Sequence, residues 1–233
     1  RKLLSLFIVI SVLFFLIVVV GVDIISGGKV SKNSLQYMVS VQNNKTHECG
    51  GFLIYPQYVL TAAHCARKND VVRKFIPKTF KNVKMGNDIM LLKISSKAVL
   101  EEKVKTVKIP DLHYRVESNT QCLVAGWGST KQRKDVNDLL ALNVSTVDIH
   151  NCKKAWEKYK ESITKLPPNI ICAGGHKQNG GVCLGDSGGP LVCDSMAVGI
   201  VSFSTKGCKY PDVPNIFTDI SKYAQAVMKK KET

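Results

Sequence analysis

The chain has 233 residues, of which 45% are apolar, and its formal net charge is +15. This length and apolar content are not those of a mainly disordered chain and fit one or two packed units. The excess of lysine and arginine favours anionic partners such as sulfated polysaccharide, anionic membrane or nucleic acid, but charge alone does not choose among them.

A positively charged pair opens the chain, followed by an apolar stretch from Leu3 to Val20. The pattern is typical of a secretory signal peptide, although the stretch is also long enough to span a membrane. The small residue Gly21 favours cleavage. We therefore expect a signal peptide over residues 1–21, incomplete because no Met begins it. Residues 22–23 would then precede a domain over residues 24–233, with a retained membrane anchor as the alternative.

Other features of the sequence agree with export. Eight cysteines behind a secretory start predict four disulfides formed in an oxidising compartment. Two glycosylation sequons begin at Asn44 and Asn143, and the first falls in a predicted loop. We therefore expect a secreted glycoprotein, with Asn44 as the better acceptor.

Short alternating strands between Gly, Asn and Pro turns predict an all-β domain. Residues 123–128 and 198–202 have the apolar runs of buried strands. A short helix is predicted after Cys152. The clearest helix is C-terminal, because apolar residues recur at helical spacing from Ile220 to Met228 and lysines follow them.

Three separated segments carry the residue types of a nucleophilic hydrolase. A histidine lies in Thr61-Ala62-Ala63-His64-Cys65, and an aspartate precedes an apolar strand in Asn87-Asp88-Ile89-Met90-Leu91-Leu92. A serine lies in the glycine-rich turn Gly185-Asp186-Ser187-Gly188-Gly189-Pro190. Glycines let such a turn aim the serine hydroxyl and nearby N–H groups at one carbonyl. The order His, Asp, Ser is one of the known orders of a catalytic triad.

With these segments the chain resembles the trypsin/chymotrypsin-like serine peptidases from Ile24 to its end. The resemblance implies two packed antiparallel β-barrels and a C-terminal helix. It assigns Ser187 as nucleophile, His64 as general base and Asp88 as orienting acid. The N–H groups of Gly185 and Ser187 would form the oxyanion hole.

Two further assignments come from the same resemblance. Ile24-Ile25-Ser26-Gly27 is similar to the mature start of these peptidases, whose freed α-amine pairs with the acid before the nucleophile, here Asp186. The eight cysteines would pair as Cys49–Cys65, Cys122–Cys193, Cys152–Cys172 and Cys183–Cys208. Spacing alone leaves the pairing open.

The resemblance also places the primary specificity pocket. Its residues would be Gly181, Val182, Leu184, Ser202, Phe203, Ser204 and Asn215. No acid lies at the pocket base, Gly181, where trypsin-like enzymes hold one. The wall depends on register: Asn215 leads correctly into the terminal helix, whereas a slide to Pro211-Asp212-Val213 would bring in a carboxylate. We prefer Asn215 and expect cleavage after medium-sized neutral residues such as Leu, Met or Phe.

One departure from the family concerns the first barrel. Asp88 follows His64 by 24 residues, against about 45 in chymotrypsin. Residues 71–77 resemble the second of the strands that the family has between the histidine and the aspartate. We therefore expect one strand and its following loop to be missing, through a natural deletion or a faulty transcript. We expect a shortened first barrel and reduced stability, with the three triad side chains still able to meet.

The dipeptide Val22-Asp23 before Ile24 is similar to the propeptides of granzymes and mast-cell proteases. The leading hypothesis is a secreted or granule-stored serine endopeptidase that works as a monomer on polypeptides and meets protein inhibitors. Sulfated polysaccharide is a further expected partner, and specific nucleic-acid binding is not expected. The other histidines lack ligand-like spacing, so neither metal nor cofactor is predicted. The alternative is a catalytically impaired homologue that acts as a basic binding protein.

Overall fold

The computed structural model of the protein describes residues 28–31, 33–67, 72–130, 136–159, 165–175, 180–205, 208 and 213–231. The predicted signal peptide, the activation dipeptide and Ile24 lie outside these ranges. The described strands are β1 (Gly28–Lys29), β2 (Met38–Asn43), β3 (Thr46–Tyr55), β4 (Tyr58–Thr61), β5 (Arg73–Phe75), β6 (Met90–Lys93), β7 (Gln121–Gly126), β8 (Leu140–Val147), β9 (Ile170–Ala173), β10 (Pro190–Cys193), β11 (Met196–Phe203) and β12 (Asn215–Asp219). The helices are α1 (Ile149–Lys158) and α2 (Ala224–Lys231).

The second half of the chain forms a closed antiparallel barrel. Its strands follow the order β8-β7-β10-β11-β12-β9, and β9 pairs back onto β8 to close the ring. The short strand β1 pairs with the other end of β8, so the start of the domain is attached to this barrel. Its core is packed around side chains such as Val124, Leu191, Val198 and Phe217.

The first half forms a five-stranded antiparallel sheet in the order β2-β3-β4-β6-β5. Its edges are β2 and β5, and its core is built around Phe52, Val59, Leu60 and Met90. The prediction of two β units with a short first one is therefore confirmed. The sheet forms across the short His64–Asp88 interval, because β4 pairs directly with β6.

The four disulfides of the structure are the pairs that the resemblance implied. Cys49–Cys65 joins β3 to the turn after β4, and Cys122–Cys193 joins β7 to β10. Cys152–Cys172 fixes α1 to β9, and Cys183–Cys208 holds the segment that precedes the glycine-rich turn. Because Cys183 lies between the predicted pocket residues Val182 and Leu184, this bond constrains the candidate site itself.

The helices begin at side-chain caps. The Asp148 carboxylate accepts hydrogen bonds from the N–H groups of His150 and Asn151, so α1 starts at Ile149 and not after Cys152, as the sequence predicted. A 3-10 turn over Ile220–Tyr223 precedes α2, so the first turn of the predicted C-terminal helix is tighter than an α-helix. The buried Val227 anchors α2 against the first-barrel core. No helix among the described residues is long and apolar enough to cross a membrane.

Candidate active site

Strand pairing brings His64 and Asp88 together. Thr61 at the end of β4 lies opposite Met90 at the start of β6. His64 comes shortly after Thr61 in the sequence, and Asp88 comes shortly before Met90. Both therefore lie at the same end of the sheet. His64 lies in a 3-10 turn that the Cys49–Cys65 disulfide ties to β3.

The Asp88 carboxylate is fully buried and satisfied by three donors. Oδ1 accepts from the His64 backbone N–H at 2.9 Å, and Oδ2 accepts from His64 Nδ1 at 2.7 Å. The Ser202 hydroxyl donates to Oδ2 at 2.6 Å. A carboxylate only accepts, so Nδ1 carries the hydrogen, and Nε2 of the neutral imidazole is left as an acceptor. This tautomer is the one a general base requires.

The glycine-rich turn holds Ser187 against the first barrel. The backbone N–H of Gly50 donates to the Ser187 carbonyl oxygen at 2.8 Å. Gly185 has φ of +96° and Gly188 has φ of +82°, which is a region that favours glycine. Within the described ranges, the N–H groups of Gly185 and Ser187 have no acceptor. These are the two N–H groups that the resemblance assigns to the oxyanion hole.

No hydrogen bond joins the Ser187 hydroxyl to His64 among the described residues. The bonded pair is therefore His64 with Asp88, and Ser187 lies on the turn beside it. Catalytic hydrogen bonds of a free enzyme are often long and shorten when substrate binds. The partly exposed side chain of His64, at 28%, is open to such an approach.

Asp186 is buried beneath this turn. Its Oδ1 accepts from the Gly128 N–H and its Oδ2 from the Cys183 N–H, both at 2.8 Å. Burial raises the pKa of the Asp186 carboxyl to about 6, although these two bonds act in the opposite direction. A Cβ at Gly128 would lie 2.4 Å from the Asp186 carboxyl carbon, so this position must be glycine. Ile24, the predicted partner, lies outside the described residues.

The predicted pocket residues cluster around one amide. Asn215 is 1% exposed, and its Oδ1 accepts from the Val182 N–H at 2.9 Å. Its Nδ2 donates to the Ser204 hydroxyl at 3.0 Å. Val182 follows Gly181, and both are buried. The uncharged amide of Asn215 thus bridges the two segments that carry Val182 and Ser204. Pro211 and Asp212 of the alternative register lie outside the described residues.

The remaining predicted pocket residues have different settings. The Ser202 hydroxyl is bonded to Asp88, so this side chain helps to hold the Asp88 carboxylate. Phe203 packs edge-on against Trp156, with ring centroids 5.6 Å apart. Leu184 is 76% exposed, directly before the glycine-rich turn. An exposed leucine at this position is available for contact with a substrate.

Three supporting residues were not found from the sequence. His47, interpreted as a surface or packing residue, donates from Nε2 to the Gly185 carbonyl at 2.8 Å and bonds the Ser40 hydroxyl through Nδ1. Burial lowers the pKa of His47. The Thr218 hydroxyl donates to the Asp88 carbonyl, and the Tyr223 hydroxyl donates to Asn87. Apart from the local bond to Ser40, each contact crosses more than a hundred residues, so no local pattern could have indicated it.

One cluster has the composition of a metal site but not its chemistry. Cys49, His64 and Cys65 bring their ligand atoms within 4.8 Å of one another. Both sulfurs belong to one disulfide, so neither is a thiolate that could bind a metal ion. The disulfide therefore stabilises the fold and holds the turn that carries His64.

Comparisons of the sequence with known proteins identify the family. The sequence model of the family described as Trypsin matches residues 24–227. Kallikrein 1-related peptidase b16 of Mus musculus is 33% identical over 234 residues, covering 86% of this chain and 86% of the relative. Serine protease 57 of Rattus norvegicus is 30% identical over 230 residues, covering 87% of this chain and 81% of the relative.

Proposed function

The chain belongs to the trypsin family of serine peptidases, and from this premise we propose that it is an endopeptidase with Ser187 as nucleophile. His64 is the general base and Asp88 the residue that orients it. The observation that carries the proposal is the 2.7 Å contact between His64 Nδ1 and the buried Asp88 carboxylate. This contact commits Nδ1 to donation and leaves Nε2 to receive the serine proton.

The proposed reaction is acyl transfer through a covalent intermediate. Ser187 Oγ attacks the peptide carbonyl carbon while its proton passes to His64 Nε2. The N–H groups of Gly185 and Ser187 donate to the resulting oxyanion. The imidazolium then protonates the leaving amine, and the ester forms on Ser187. Water repeats the sequence, releasing the acid and restoring the serine.

Activation is proposed to depend on Ile24. Removal of Val22-Asp23 frees the Ile24 α-amine, which then pairs with Asp186 beneath the oxyanion turn. The support is that Asp186 is buried with two backbone donors and no cation among the described residues. Because Asp23 is neither lysine nor arginine, a trypsin-like activator is not expected to cut here. A dipeptidyl peptidase is the fitting activator.

The proposed preference is for medium-sized neutral residues such as Leu, Met or Phe before the cleaved bond. Its support is the buried Asn215 amide, which bonds Val182 and Ser204 and brings no charge to the pocket. A lysine or arginine side chain would lose water there without gaining an opposite charge. Substrates with a charged side chain at this position are therefore expected to be cleaved poorly.

The proposed setting is secretion, with storage in granules as in granzymes and mast-cell proteases. Four disulfides fit an oxidising compartment, and the Val22-Asp23 dipeptide favours the granule subgroup. Asn44 lies exposed in the β2–β3 hairpin, where a glycan can be attached. Trypsin-like peptidases act on polypeptides and are bound by protein inhibitors. We expect the protein to act as a monomer and to bind sulfated polysaccharide.

Peptide hydrolysis tests the proposal directly. Protein processed to Ile24 is incubated with a peptide library and cleavage is followed by mass spectrometry, beside the S187A variant. We expect turnover only from the parent protein, with Leu, Met or Phe before the cut. Turnover by S187A at the parental rate would contradict the assignment of Ser187. No turnover by either protein would favour the catalytically impaired homologue.

A further inference from the structure

A polar cleft of about 520 Å³ lies beside α1, on elements that the proposed triad does not use. We call it the α1 cleft. It lies between α1, the end of β8 and the turn before β7, and its principal polar residues are Ser118, Asn119, Asp148, Asn151, Lys154 and Lys158. Residues with hydroxyl, amide and ammonium groups therefore line one open cleft.

The positive side of the α1 cleft is one face of the helix. Asn151, Lys154 and Lys158 are spaced three and four residues apart, which places them on the same side of an α-helix. The two lysines are one turn apart, about 6 Å along the axis. All three residues are exposed. Two ammonium groups can therefore reach the same ligand.

Asp148 is the single acid among the residues that line the α1 cleft, and its carboxylate already accepts hydrogen bonds. One oxygen of Asp148 accepts from the N–H groups of His150 and Asn151, and the other accepts from the Asn151 side-chain amide. These bonds lower the pKa of Asp148, the Asn151 backbone bond most strongly. The carboxylate is thus committed to capping α1 and does not pair with either lysine.

Further donors face the ligand space without a competing partner. Thr146 is used internally, because its hydroxyl donates to the Glu117 carbonyl and accepts from the Thr120 N–H. Among the described residues, the side chains of Ser118, Asn119, Lys154 and Lys158 have no hydrogen-bond partner. The α1 cleft therefore offers two cations and two neutral polar groups to a ligand.

We infer that the α1 cleft binds a sulfated oligosaccharide. Two sulfate groups match the two ammonium groups, and sugar hydroxyls match the amide of Asn119 and the hydroxyl of Ser118. The residues lining the cleft include no aromatic ring on which a nucleic-acid base could stack. The inference gives a location to the polysaccharide binding proposed above, and it is independent of peptidase activity.

Binding of a heparin-derived hexasaccharide tests the inference by titration calorimetry at physiological salt. The double variant Lys154→Gln with Lys158→Gln is compared with Lys105→Gln with Lys153→Gln. The control removes the same charge from exposed lysines that do not line the cleft. We expect at least a tenfold loss of affinity in the first variant and less than threefold in the control. Equal losses in both would overturn the inference and leave only diffuse charge attraction.

A neutral variant separates shape from charge. Asn119 has φ of +61°, so Asn119→Gly keeps the backbone conformation while removing the amide. We expect a several-fold loss of hexasaccharide affinity and an unchanged unfolding temperature, which establishes that the fold is intact. Unchanged affinity for N119G would count against the cleft. Equal binding of a single-stranded oligonucleotide of the same charge would overturn the saccharide assignment.

Discussion

The buried carboxyl of Asp186 is the group on which the proposed activation depends. In the precursor the Ile24 nitrogen is part of a peptide bond, so it supplies no charge to the buried carboxylate. The folded pKa of about 6 lies above the ordinary value of 3.8. The folded state therefore holds the proton more tightly, and the precursor loses stability as pH rises between these two values. The loss amounts to roughly 3 kcal/mol above pH 6.

Removal of the residues before Ile24 should restore the stability that the precursor loses. The freed α-amine is positive at pH 7 and, in the proposed activation, pairs with the Asp186 carboxylate. We predict that processing raises the unfolding temperature more at pH 7 than at pH 4.5. Differential scanning calorimetry of the precursor and processed forms at both pH values measures this. In the D186N precursor, the pH dependence between 4 and 6 should flatten. A stabilisation of equal size at both pH values would speak against the Ile24–Asp186 pair.

Asn215 determines the proposed specificity, because its amide bonds Val182 and Ser204 inside the pocket. We predict that Asn215→Asp, which adds a carboxylate of the same size, shifts the preference toward Lys and Arg. The ratio of kcat/KM for Arg against Leu substrates should rise at least tenfold. The control Asn215→Leu should keep the neutral preference. It should lose about 1–3 kcal/mol of stability, because both hydrogen bonds of the buried Asn215 amide are removed. An unchanged ratio in N215D would place the wall of the pocket elsewhere.

At the scale of elements, the short first sheet separates stability from catalytic geometry. His64 and Asp88 depend on the direct pairing of β4 with β6. The strand expected to be missing would fall between the two residues in the sequence, but it would not separate β4 from β6 in the sheet. The sheet ends at the edge strands β2 and β5, where a sheet is least protected. Stability should therefore suffer more than the His64–Asp88 contact does.

We predict that a family-length insert of about 20 residues between Cys65 and Val71 stabilises the protein by at least ~2 kcal/mol, by burying a few apolar side chains. The unfolding temperature should rise by roughly 4–8 °C. Because the β4–β6 pairing is already present, kcat should change by less than about tenfold. A Gly/Ser insert of equal length is the control and should not stabilise. Equal effects of the two inserts would mean that no strand is restored.

At the scale of the whole molecule, the predictable parts are those encoded in short contiguous segments. His64, Asp88 and Ser187 each sit in a recognisable motif, and the apolar runs of β7 and β11 indicate their strands. The disulfide pairs came from resemblance, because spacing leaves the pairing of eight cysteines open. The α1 boundary was missed because its start depends on the Asp148 cap rather than on apolar spacing.

Contacts between distant segments could not be predicted. His47 bonds Gly185 across 138 residues, and Ser202 bonds Asp88 across 114. Both contacts exist only after the two halves of the chain pack together, since each joins a residue of the first half to one of the second. The contacts that hold the glycine-rich turn and Asp88 are therefore a property of the folded molecule, while the proposed reacting residues lie in motifs that can be read from the sequence.

The central claim is that Ser187 is a nucleophile activated by His64. A fluorophosphonate probe tests it, because serine displaces fluoride only when its hydroxyl is activated. Protein processed to Ile24 is labelled, digested and mapped by mass spectrometry, beside S187A and H64A. We expect one label per chain, located on Ser187, with at least a hundredfold slower labelling of H64A and none of S187A at this site. A parent protein that stays unlabelled, or one labelled at Ser187 equally fast without His64, would contradict it.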